Sequence, residues 1–346
     1  MKQNLPFSTF EDGDKKNKIS LTKTTKRLIN YFFGPVLFLI LSWSLYRQIT
    51  NQPDLALRWA QISNGWNNWK FWLVVGLMLV NWGIETRKWQ ILINHVQQFS
   101  FARAMKSVFA GCSVTMLTPN RIGEYGGRIL YVEERSRIKA ISLSLVGSIS
   151  QLLVTMVMGC IGLVYLRYVS HINSSTLAVL PEFWGDVLIY LSIGLTGLLM
   201  LFYMRLGWLV RAMERVPSFQ KVVNHIRVLD EFDNKQLVRI LFLSLIRYLV
   251  FVFQYVLMLR VMQIEIPVWI CFWLMTVFYL VMAVAPSIGF IELPVRISAS
   301  WVIFKIYTTN ELGIGTASLG IWLINLVIPA IMGSLLILSV KIVKEK

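Results

Sequence analysis

The sequence predicts an all-α integral membrane protein of about eight transmembrane helices, two of its segments being broken or re-entrant. Three observations lead there. Of 346 residues, 56% are hydrophobic and 15% charged, with a mean hydropathy of +0.60, more apolar surface than a soluble domain hides. Apolar runs of about twenty residues recur along the chain, the length that spans a core of about 30 Å at about 1.5 Å per residue. Lys and Arg alternate between rich and poor loops, as they do when basic residues are retained on the cytoplasmic face.

The elements follow in order. Residues 1–30 are polar and carry Lys2, Lys15, Lys16, Lys18, Lys23, Lys26 and Arg27, a cytoplasmic basic tail. The run from about Tyr31 to Ile49 lies too far along the chain for a cleaved signal and reads as an uncleaved first span. Further spans are expected near 71–93, 141–166, 187–204, 240–262, 267–285 and 316–340, with Gly, Pro, Ser and charge interrupting 101–118 and 287–308. The loops 85–140 and 205–239 are rich in Lys and Arg, whereas 50–70 holds only Arg58 and Lys70, and 167–186 only Arg167. Both termini are therefore expected in the cytoplasm, which requires an even number of crossings. Seven clear spans plus one at about 293–308 give eight. The expected organisation is a tail over 1–30, a transmembrane domain over 31–340 and a cytoplasmic C-terminal tail over 341–346, in the cell (inner) membrane.

The net charge of +16 sits in alternate loops, so its natural counterpart is anionic lipid headgroups and no nucleic-acid partner is expected. Cys112, Cys160 and Cys271 lie in apolar surroundings without metal or redox spacing and behave as small hydrophobes. His95, His171 and His225 stand apart, and there is no HExxH and no GxSxG. No metal, no cofactor and no enzymatic activity are expected.

Two stretches carry the chemistry. In Thr118 to Arg128, Pro119, Gly123, Gly126 and Gly127 are breakers beside Arg121, Glu124 and Arg128. An apolar segment meeting this sequence stops or reverses, and Glu124 and Arg128, four apart, share a helix face if a helix starts after Pro119. A solvated salt bridge at the membrane surface is one reading; an anion pocket at membrane depth is the other, with Arg binding phosphate bidentately and Glu orienting it. Pro286, Gly289, Glu292 and Arg296 echo the first stretch, again with Glu and Arg four apart. Broken segments in corresponding halves point to a midplane site, and an internal two-fold repeat is one arrangement that produces them.

Charges inside spans mark function when they do not snorkel to the interface. Arg247 lies well inside 240–262, while Glu85, Arg87 and Lys88 read as the cytoplasmic boundary of the second span. Gln151, Gln254 and Asn325 are expected to bond between helices.

Glu85 with Lys88 and Trp89, then Pro119, Arg121, Gly123, Glu124 and Arg128, then Pro286, Gly289 and Glu292, together resemble the transmembrane region of the lysylphosphatidylglycerol synthases, the flippase-like domain family. The resemblance covers most of the chain from about residue 70 onward. It implies a helical membrane domain with two re-entrant segments and a lipid or lipid-linked substrate, and no soluble synthase domain is expected here.

The leading expectation is a transporter that moves a phospholipid or polyprenyl-phosphate-linked intermediate between leaflets. In it Arg121, Arg128, Arg247 and Arg296 neutralise the phosphate, while Glu124 and Glu292 hold the guanidinium groups. The competing expectation is a non-transporting scaffold that binds anionic lipid and recruits a separate biosynthetic enzyme through Arg211, Arg215, Lys221 and Arg227.

Overall fold

The computed structural model describes Trp43, Gly65, residues 67–116, Thr118 and residues 121–169, 182–208, 211, 227–284, 292–308 and 310–338. The expected first span apart from Trp43, both tails, Pro119, Pro286 and Gly289 lie outside the described residues. Within them every regular element is helical: α1 (Trp69–Ile93), α2 (Phe101–Thr115), α3 (Gly123–Ile129), α4 (Arg137–Val164), α5 (Glu182–Met204), α6 (Asn234–Val261), α7 (Val268–Val284), α8 (Glu292–Phe304), α9 (Glu311–Trp322) and α10 (Ile328–Leu338). The protein is an all-α integral membrane protein.

Each of the six clear spans expected from residue 71 onward coincides with helix. The segments Glu134–Tyr168, Asp186–Met204, Asn234–Val261 and Leu312–Leu338 are long and apolar enough to cross a membrane, and α7 is a shorter apolar helix. Local chemistry fixes where several begin. Asn68 accepts from Lys70 N, Ser100 from Arg103 N and Asn310 from Gly313 N, while Asp233 and Gln236 form a capping box at α6, each meeting backbone donors that a helix start leaves open. A single π-helical turn, Leu323–Val327, joins α9 to α10 into one span.

Helix α6 is the hub, packing on α1, α4, α7 and α9. α4 also packs against α7 and α5, and α10 lies along α2, where the Ser113 hydroxyl donates to Ala330 O at 2.6 Å. α5 is peripheral, presenting Leu191, Leu195, Leu198 and Leu201 outward, the face expected to meet acyl chains. Trp69, Trp72 and Trp269 are exposed near the start of α1 and of α7, and Trp269 Nε1 donates to Tyr165 OH at 2.9 Å. Amphipathic rings gathered at one end are the signature of a membrane interface.

The first broken segment is an antiparallel hairpin. Thr118 Oγ1 accepts from Gly123 N at 2.7 Å across the turn, and Ser107 Oγ donates to Arg128 O at 2.9 Å across the other end. Gly123 and Gly127 let α3 lie directly on α2, since a Cβ on Gly127 would overlap the Ala110 carbonyl and one on Gly123 the Val114 carbonyl. This close backbone approach reverses the chain within the membrane domain and places Glu124 and Arg128 on the side of α1.

Gly127→Ala is therefore expected to destabilise by about 1–3 kcal/mol through overpacking. Gly126→Ala, where a Cβ meets nothing within 4 Å, is expected to be neutral or to stabilise by up to about 1 kcal/mol through helix propensity. Thermal melting of the two variants in one detergent separates them; equal melting temperatures would contradict the hairpin packing.

Candidate functional site

Asn81, Glu85 and Lys88 are spaced i, i+4 and i+7, so α1 carries them as one stripe. They are 0%, 3% and 1% exposed respectively. The stripe faces α3, α4 and α6, each of which delivers a partner. Glu85 Oε1 takes Arg128 at 2.6 Å, and Oε2 takes Lys88 at 2.9 Å and Arg247 at 3.1 Å. One carboxylate thus holds three cations from three helices, and Arg128 also reaches Glu124 one turn back along α3.

Surrounding groups complete the coordination. Lys88 Nζ donates to Gly147 O at 3.2 Å and Ser244 Oγ at 3.4 Å, and Ser244 pairs with Ser150 at 2.9 Å. Arg247 donates through Nε to Asn81 Oδ1 at 3.1 Å and through Nη1 to Gln151 Oε1 at 3.4 Å. Its guanidinium lies 5.5 Å from the Trp82 ring and 5.1 Å from Phe251, and that of Arg128 lies 5.1 Å from Trp89, within the range of cation–π attraction. Trp89 Nε1 donates to Ser107 Oγ at 3.0 Å, and that hydroxyl donates to Arg128 O, so the aromatic platform and the arginine are fixed together.

The second motif forms its own pair. Glu292 opens α8, and Arg296 one turn later donates to it at 3.1 Å. Arg121 reaches Glu292 Oε1 at 3.7 Å, so the two broken segments meet in space. Arg121 has φ 58°, a conformation costing a non-glycine residue about 1–2 kcal/mol, and its side chain is 49% exposed. The cations are graded: Arg121 at the surface, Arg296 and Arg247 largely covered, Arg128 fully buried.

Charge does not balance across these groups. Lys88, Arg128 and Arg247 face Glu85 and Glu124, a surplus of one positive charge. Arg121 and Arg296 face Glu292, a surplus of one more. Arg128 Nε, Arg296 Nε and Asn81 Nδ2 are buried without a hydrogen-bond partner among the described residues. Buried donors without partners carry a desolvation cost that an oxyanion would remove.

Several sequence expectations change here. Of the expected boundary residues, Arg87 is exposed, whereas Glu85 and Lys88 are enclosed by α3, α4 and α6 within a helix that runs on to Ile93. Arg247, placed inside its span by the sequence, is held within the protein by Glu85 and Asn81. Gln254 bonds between helices, to Val74 O at 2.8 Å, and Gln151 does so toward Arg247 and Ser244 O. Asn325 instead donates to Ile321 O on its own segment. Of the breakers, Gly123 is placed at the hairpin. Asn81, Ser150 and Ser244 escaped sequence reasoning; the signal for Asn81 was its i, i+4, i+7 register with Glu85 and Lys88 inside an apolar run. Cys112, Cys160 and Cys271 are free and buried, and among the described residues no cluster of His, Cys, Asp and Glu is arranged to hold a metal. In the basic loop, Arg211 pairs with Asp230 at 3.5 Å, while Arg215 and Lys221 lie outside the described residues.

Comparison with known families places a match over residues 31–291, to the family described as the lysylphosphatidylglycerol synthase TM region. No curated protein matches the chain.

The network makes one stability expectation. Glu85→Gln leaves Lys88, Arg128 and Arg247 without their shared carboxylate, and breaking a buried pair by removing one partner costs about 3–5 kcal/mol. Lys88→Met in the same chain removes one orphaned cation and is expected to recover a large part of the loss in melting temperature. A wild-type melting curve for Glu85→Gln alone would show that the carboxylate does not organise the site.

Proposed function

This chain belongs to the lysylphosphatidylglycerol synthase TM-region family, and from that premise we propose that it moves a phosphate-bearing lipid, a phospholipid or a polyprenyl-phosphate-linked intermediate, between membrane leaflets. The observation that carries the reading is the graded row of cations running from half-exposed Arg121 to buried Arg128 and Arg247, with more positive than negative charge along it.

In this reading the phosphate meets Arg121 first, where the two broken segments join. It then exchanges for carboxylate on Arg128 and Arg296: Glu124 and Glu292 release one edge of each guanidinium as the phosphate oxygens arrive, and take it back as the headgroup leaves. Arg suits this exchange because its planar fork binds carboxylate and phosphate in the same bidentate geometry. Glu85 stays in place, keeping Arg128 and Arg247 oriented while the outer carboxylates move. A phosphate charge at the centre of a bilayer with no partners is far costlier than one passed between paired cations, and the acyl chains remain in lipid throughout. No bond is made or broken, so the protein works as a carrier rather than an enzyme.

The same reading puts the protein in the cell (inner) membrane with both termini in the cytoplasm, 31–340 forming the transmembrane domain between tails 1–30 and 341–346. A separate biosynthetic enzyme supplies the lipid.

The test is a leaflet-accessibility assay in proteoliposomes with fluorescent phosphatidylglycerol. Arg128→Ala and Glu124→Ala are expected to slow transfer by at least about tenfold at matched protein levels, the loss of one charge-assisted contact. Arg128→Lys, which keeps the charge without the fork, is expected to fall between them and wild type. Normal transfer in all three, with sensitivity instead at Arg211 and Arg227, would replace this reading with that of a scaffold.

A further inference from the structure

The charges of the Glu85 network and of the second motif, taken together, point to a class of headgroup. Among the described residues Lys88, Arg121, Arg128, Arg247 and Arg296 are paired with Glu85, Glu124 and Glu292, which leaves two positive charges without a counterpart. The stretches of sequence that complete the two broken segments, 117–120 and 285–291, contain no Asp or Glu, and neither does the apolar run 31–49. Glu133 and Glu134, the next carboxylates along the chain from the hairpin, are exposed.

The excess is held out of water. The side chains of Lys88, Arg128, Arg247 and Arg296 are at most 12% exposed, and an uncompensated charge in such surroundings is costly. A ligand that brings the missing charge returns that cost; one that brings half of it leaves the rest. The donors agree with the charge. Arg128 Nε and Arg296 Nε, on different helices, are both buried without a partner among the described residues, and the Arg121–Glu292 contact joins their two segments. Buried Cys112 lies within electrostatic range of Arg121, Glu124, Arg128 and Arg247, so the exposed arginine and the buried ones act on one region. A phosphodiester has two terminal oxygens, enough for one guanidinium fork, whereas a monoester has three and can engage two.

We infer that the cation row selects a lipid headgroup carrying a dianionic phosphate, a phosphate monoester or a diphosphate, over a phosphodiester. Above about pH 6 a monoester carries about two negative charges, matching the excess, whereas a phosphodiester carries a single one. An aminoacylated phosphatidylglycerol, whose ammonium groups outweigh its phosphate, adds to the excess and is disfavoured by it. Of the two kinds of lipid named under the proposed function, the polyprenyl-phosphate type fits better than the phospholipid diester. The inference rests on the reading that the row receives a lipid phosphate, and a binding measurement separates it from transport.

The experiment is native mass spectrometry of the full chain released from phosphatidylcholine nanodiscs doped with phosphatidic acid or with phosphatidylglycerol of the same acyl chains. The nanodiscs are held at about pH 7.5, above the second ionisation of a phosphate monoester. Wild type is expected to hold the monoester at least about tenfold more tightly, the worth of one further charge-assisted contact. Arg121→Gln removes one of the two excess charges at a half-exposed position and is expected to cut that preference to about threefold or less. Glu124→Gln adds one and is expected to widen it, a gain that misfolding does not produce. Lys139→Gln, an exposed cation outside the row, is expected to leave it unchanged. Equal retention of the two lipids by wild type, or the same loss of preference in Arg121→Gln and Lys139→Gln, would overturn the inference. Inorganic phosphate retained in place of phosphatidic acid would overturn the lipid assignment; excess phosphate without effect supports it. Preference for the monoester in a protein that transfers no lipid between leaflets would remove the transport reading and leave the charge match standing, whereas transfer with no preference would do the reverse.

Discussion

The carboxylate of Glu85 is the interaction on which the rest of the site depends. It receives Lys88 from its own helix, Arg128 from the re-entrant hairpin and Arg247 from the hub helix α6. Three buried cations without that carboxylate would repel one another in a medium of low dielectric, and α3, α4 and α6 would lose the polar reason for meeting α1 where they do. Hydrophobic packing alone does not select one register of apolar helices over another in lipid. A shared ion adds that selection, since the arrangement formed here brings three cations within 3.1 Å of two oxygens.

Much of the fold was legible in the sequence, because membrane helices are dictated by length and hydropathy and the breakers by Pro and Gly. The Glu124–Arg128 and Glu292–Arg296 pairs were legible too, since a separation of four residues on a helix is enough to predict contact. What sequence order hides is pairing across distance. Arg247 and Asn81 stand 166 residues apart, and nothing local in either says that they meet. Glu85 and Lys88 show another limit of sequence order. In one dimension a charge near the end of an apolar run looks solvent-exposed, and only the enclosing helices show that it is buried in protein. Gly126 and Gly127 look alike as letters, yet one faces open space and the other a carbonyl.

The division between fixed and exchangeable contacts follows from burial. Glu85 is 3% exposed and bound by three partners, whereas the Glu124 side chain keeps 24% of its surface and pairs with Arg128. Glu292, which Arg121 reaches, lies between them at 9% of its side-chain surface. In the proposed transport this joins a fixed inner anchor to outer carboxylates that trade partners, as a site must if it is to bind and then let go.

The hairpin carries a further consequence for the bilayer. α2 has fifteen residues and α3 seven, lengths of about 22 and 10 Å, against a hydrocarbon core of about 30 Å. A hairpin of these lengths entering from the side of exposed Glu133 and Glu134 is too short to reach the opposite face. In the transport proposed above, the insulating slab would then be thinnest above Arg121, and the work of carrying the phosphate charge would be confined to that remaining thickness.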